Sequence, residues 1–131
     1  MSVRAHTCVC VCVRHTHRRL RTLSIGYNTL CAEGAELLSA ALRKNATVQV
    51  LKVEKNFLGE DATEDAVVDG VVELARSIRT MAELRAVTFS GDFIGSTVVT
   101  ADVGMDALAL GGSLLGNAGV LLLAAFLPRC T

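Results

Sequence analysis

Leu20-Arg21-Thr22-Leu23-Ser24-Ile25-Gly26-Tyr27-Asn28-Thr29-Leu30-Cys31-Ala32-Glu33-Gly34-Ala35-Glu36-Leu37-Leu38-Ser39-Ala40-Ala41-Leu42 is the stretch that decides the fold. With Leu23 as position zero, Ile25 stands at two, Asn28 at five, Leu30 at seven, Gly34 and Ala35 at eleven and twelve, Leu38 at fifteen and Leu42 at nineteen. Alternation of Leu23 and Ile25 predicts a short strand with one buried face. Asn28 can turn its amide onto the backbone of the following bend and of a neighbouring coil, satisfying groups that would otherwise be buried bare. Gly34 opens a helix whose Leu37, Leu38, Ala41 and Leu42 return at helical spacing to cover the strand. A single unit of this kind cannot close its own core, so neighbours must stack on it.

Outward from that stretch the frame restarts 28 residues later at Leu51, with Val53, Asn56 and Leu58 in register and Val48 three before. Gly70, Val71, Leu74 and Ile78 recover the helical half only after an insertion of 8 residues within 59–69. A third start falls at Val87, with Phe89, Asp92 and Ile94. Beyond it two registers compete. Leu108, Leu110, Ser113, Leu115, Gly119, Val120, Leu123 and Leu127 match a fourth unit only 21 residues after Val87, or else 104–115 is the third unit's helix, displaced by an insertion after Ile94. The match over the full frame favours the fourth unit.

This arrangement, Leu-x-x-Leu-x-Leu-x-x-Asn-x-Leu-x-x-x-Gly-Ala-x-x-Leu-x-x-x-Leu, resembles the long leucine-rich repeats of ribonuclease inhibitor and of NOD-like receptors. The resemblance spans roughly residues 18 to 127. It implies an α/β leucine-rich-repeat solenoid, here a fragment of three to four repeats, with short parallel strands on a concave face and helices on the convex face. It also implies a protein-binding role without cofactors.

Composition agrees with thin stacked layers. Apolar residues make up 51% of the 131 and aromatics only 4%, with no Trp, so any core must be Leu, Val and Ala. Basic and acidic residues balance at 13 each, which argues against nucleic acid as the partner of the whole chain. Residues 1–17 differ from the rest: Cys8, Cys10, Cys12 and His6, His15, His17 crowd into a basic, low-complexity segment expected to lack fixed structure. The remaining 18–131 are expected to form the repeat array. An odd cysteine count, with Cys31 and Cys130 isolated in apolar patterns, fits a reducing compartment, and a cytoplasmic location is expected.

Reactive chemistry is poorly supported. The Cys8-Cys10-Cys12-His15-His17 spacing would need an extended strand to fold sharply around one ion, unlike the paired ligands of structural zinc sites. Every histidine lies in that opening segment, so no serine or cysteine elsewhere has a nearby base by sequence, and Gly111-Gly112-Ser113-Leu114-Leu115-Gly116 lacks the glycine a nucleophile elbow requires two residues after its serine. Glu60, Asp61, Glu64, Asp65, Asp69 and Glu73 do not fit a calcium-loop frame and suit a solvated loop running into a helix N-terminus. The chain is expected not to be an enzyme and to hold no metal.

Two functional readings follow. In the first, residues between the buried strand positions form a solvent-facing sheet that binds a protein, through Thr22, Ser24, Tyr27, Lys52, Glu54, Lys55, Thr88 and Ser90. In the second, the uncharged run Ala107 to Pro128, with Gly112 and Gly116 at the spacing of packed membrane helices, anchors a small tail-anchored membrane protein. The repeat accounts for the same apolar positions without a bilayer, with Pro128 ending the last helix.

Overall fold

The computed structural model describes residues 19–58, 64–91 and 95–130. Its element order is β1 (Thr22–Ser24), α1 (Cys31–Arg43), β2 (Val50–Lys52), α2 (Glu64–Thr80), β3 (Ala86–Phe89), β4 (Val99–Asp102) and α3 (Gly116–Phe126), closed by a 3-10 turn at Leu127–Arg129. This is a mixed α/β fold with one four-stranded sheet in the order β1-β2-β3-β4.

The first three strands are parallel and carry the frame read from the sequence. Leu23 pairs with Leu51, and Leu51 with Val87, so the three predicted starts lie side by side. All three are buried, and so are Ile25, Val53 and Phe89 two residues on. The backbone repeats as well. The Arg21 carbonyl accepts from Gln49 and Val50 N–H, as the Gln49 carbonyl accepts from Arg85 and Ala86. Tyr27 and Thr29 in the first unit, and Lys55 and Phe57 in the second, take left-handed φ between 51° and 62°, so the same kinked bend recurs 28 residues apart.

The fourth strand and the fourth unit require corrections. β4 runs antiparallel to β3, pairing Phe89 with Val99 and Val87 with Ala101, whereas an all-parallel array was expected. Leu108 to Leu110 form no strand, and 104–115 form no helix. The helical half that matched a fourth unit is instead the helix of the third. Thr29-Leu30-Cys31, entering α1 with φ of 52°, −69° and 55°, has its counterpart in Leu114-Leu115-Gly116 entering α3 with 53°, −67° and 59°. A Cβ on Gly34 would lie 2.6 Å from Leu30 Cβ, and one on Gly119 would lie 2.9 Å from Leu115 Cβ, so both helices begin with a leucine folded over a glycine.

Gly34, Gly70 and Gly119 thus mark equivalent helix positions 36 and 49 residues apart, against 28 for an uninterrupted unit. The second unit carries 8 extra residues and the third 21, each between strand and helix. The third insertion holds β4. A stretch that lengthens a bend leaves the register of strand and helix intact on either side, which is why a 28-residue frame could be matched to the wrong unit.

Helix packing follows the same order, α1 against α2 and α2 against α3. Small residues let the first pair approach closely. A Cβ on Gly70 would sit 2.2 Å from the Ala32 carbonyl oxygen. Buried Ser77 donates to the Ser39 carbonyl at 3.1 Å and to the Glu73 carbonyl at 3.1 Å. On the rim, Glu73 accepts from Arg43 of α1 and from Arg76 at 2.7 Å. The hydrogen bond from Arg43, with the charges of Arg43 and Arg76 helping, outweighs desolvation and holds the Glu73 carboxyl below the usual carboxylate range. Leu37 departs from its expected role, because it lies 63% exposed while Leu38 and Leu42 are buried.

Candidate partner-binding face

Strand alternation turns Leu23, Leu51, Val87 and Ala101 to the helices, so the residues beside them face the other way. The pairing places Ser24, Lys52, Thr88 and Thr100 in one row across all four strands, and Thr22, Val50, Ala86 and Asp102 in a second. Just beyond the strand ends lie Tyr27, Glu54 and Lys55. The structure therefore brings Thr22, Ser24, Lys52 and Thr88 of the predicted set onto one side of the sheet, although it commits others of the set to internal contacts.

Thr88 and Ser90, expected to face solvent, are each 7% exposed. Thr88 Oγ1 lies 2.9 Å from Thr100 Oγ1 across the antiparallel pair, so β4 supplies its cover. Ser90 Oγ accepts from the Lys55 backbone N–H at 2.9 Å and ties the bend of the second unit to the third. The Lys55 ammonium donates to the Ser96 carbonyl, in the bend that leads into β4. Ser90 and Lys55 thus join the second unit to the third, and Thr88 is closed off by β4, so none of the three lies on an open face.

Thr22, Ser24 and Glu54 are half-buried, Lys52 is exposed, and Tyr27 is 70% exposed. Glu54 folds back over Gly26, where a Cβ would stand 2.5 Å from its carboxyl carbon. Its Oε2 is buried and meets no donor among the described residues. Gly26 thereby makes room for the Glu54 carboxylate.

Asn56 holds the face in place. It is 1% exposed. Its Oδ1 accepts from Asn28 N–H at 2.9 Å and Leu30 N–H at 3.4 Å, while its Nδ2 donates to the carbonyls of Ile25 at 2.9 Å, Val53 at 3.0 Å and Glu54 at 3.3 Å. One amide thus pairs backbone groups of two consecutive bends, as expected for position five. The Asn56 carbonyl also accepts from Cys31 N–H at 2.9 Å, so the second unit caps the first turn of α1, which has no side-chain cap of its own.

Sequence reasoning missed Thr100 and Asp102, which extend both rows. The run Thr97-Val98-Val99-Thr100-Ala101-Asp102-Val103 is rich in β-branched residues with apolar alternation, a signal sufficient for a strand, but it lay in the gap of a frame that had no place for one. The opening Cys/His cluster and Asp92 lie outside the described residues. Among the described residues no group of three or more His, Cys, Asp or Glu side chains is placed to hold a metal ion.

No family model, no curated protein and no solved structure matches this chain.

Proposed function

We propose that this chain is a stack of leucine-rich-repeat units that binds a protein partner on the strand face, and that it is not an enzyme. The observation that carries the reading is the polar row across the parallel strands, where Ser24 and Lys52 stand on the side away from the helices and Lys52 is exposed. Tyr27, just beyond the end of β1, adds an exposed amphipathic ring to that row. The leucine-rich-repeat reading rests on the residues of the first unit, on the parallel register and on the bridging role of Asn56. The cysteine pattern supports a cytoplasmic setting.

No helix among the described residues is long and apolar enough to cross a membrane. The run from Ala107 to Pro128 is divided, with α3 starting only at Gly116 and with Leu122 and Phe126 wholly buried against the protein.

A photo-crosslinking residue placed at Ser24 or Lys52, and in parallel at the exposed helix positions Glu36 or Arg76, tests the reading. Adducts to a defined protein from the strand positions, lost with Tyr27→Ala and absent from the helix positions, are expected. Equal labelling from both sides, or none from the strands, overturns it.

A further inference from the structure

The first unit leaves one helix face without a neighbour among the described residues. α2 meets α1 through Gly70, Glu73 and Ser77, and the equivalent positions of α3 are Gly119, Leu122 and Phe126, all buried. In α1 these positions are Gly34, Leu37 and Ala41, and Leu37 is 63% exposed. Glu33, Leu37, Ala40 and Lys44 are all exposed and follow one another at intervals of four, three and four residues. That is the spacing of a helix–helix seam.

We propose that this seam pairs with the same seam of a second copy, the two α1 helices running antiparallel. The residues are self-complementary under a two-fold axis. Placing the axis at the middle of the stripe sets Glu33 against Lys44 of the other copy at both ends, and sets each Leu37 side chain over the small Ala40 of the other copy between them. The occupant is thus fixed by charge and by size. A parallel arrangement would face Glu33 with Glu33 and Lys44 with Lys44, and stacks two leucines on each other. Arg43 is engaged with Glu73 of α2, about a quarter turn around the helix from the seam, and does not compete.

Sedimentation equilibrium of the full chain under reducing conditions is the test. The unmodified chain is expected to show a concentration-dependent dimer. Leu37→Glu, at a position too exposed to endanger folding, is expected to leave only monomer. Glu33→Lys or Lys44→Glu alone creates two like-charge contacts per dimer and is expected to raise the dissociation constant about tenfold.

The combined exchange Glu33→Lys with Lys44→Glu is expected to restore the dimer. A purely intrahelical role would make the double variant the worst, because both charges then oppose the helix dipole. A monomer at all concentrations, a dimer indifferent to the charge changes, or a dimer that forms only after removal of residues 1–18 would each overturn the proposal. The last result would assign the seam to the chain's own opening segment.

Discussion

The bends after β2 and after β3 part at their first residues, where Lys55 takes a left-handed φ and the equivalent Gly91 does not. After β2, buried Asn56 gathers the backbone of two units, and 8 extra residues pass between it and the helix. After β3, the bend extends by 21 residues, and the chain turns back as β4. There the joining is shared among hydroxyls: Ser96 Oγ accepts from Gly91 N–H at 2.7 Å and donates to the Ser113 carbonyl at 3.2 Å, and Ser90 receives Lys55. One amide can serve two adjacent parallel bends because they lie at one register. Where the longer insertion turns the chain back as β4, several smaller groups divide the work.

The sharpest way to break this contrast is Asn56→Leu. It strips donors and acceptors from Asn28, Leu30, Ile25 and Val53, so a loss of about 3–5 kcal/mol is expected in urea unfolding, against about 1 kcal/mol for Asn28→Ala, whose amide bonds, among the described residues, Ile25 and Gly26 of its own turn. Comparable losses for the two would remove the distinction between a bridging and a local asparagine.

Excision of 92–112 joins Gly91 to Ser113 and returns the third unit to the 28-residue frame. A cooperatively folded protein is expected, less stable by about 2–3 kcal/mol because Val99 and Ala101 no longer cover Phe89 and Val87. Failure to fold would mean that β4 is part of the unit rather than inserted into it.

Gly70→Ala probes the close approach of the first two helices. The gain in helix propensity is about 1 kcal/mol. The contact with the Ala32 carbonyl outweighs it, for a net loss of about 1–2 kcal/mol in thermal melts, whereas stabilisation would show that the helices can part freely.

The smallest effect concerns Glu73. Its carboxyl titrates lower in the folded state than in the unfolded chain, so its contribution is present above the unfolded value near 4.5 and is lost as pH falls through the folded value. Glu73→Gln should therefore lower stability slightly at pH 7 and not at pH 3, as measured by denaturant midpoints. An equal change at both values would assign its role to packing.

Leu23, Ile25, Asn28 and Gly34, with their echoes at Leu51, Val53, Asn56 and Gly70, settled by themselves that strands alternate with helices and that Leu23, Ile25, Leu51 and Val53 are buried. Those signals are local: period two, period 3.6 and a polar residue at a bend. They also located the strand face, because alternation assigns Ser24 and Lys52 to the side away from the helices. Only the tertiary structure decided that 99–102 turns back on β3, that this buries Thr88, and that α3 belongs to the third unit. Those outcomes depend on which distant backbone a strand pairs with, and a repeating frame scores the residues within a unit while remaining silent about the length of chain inserted between its halves.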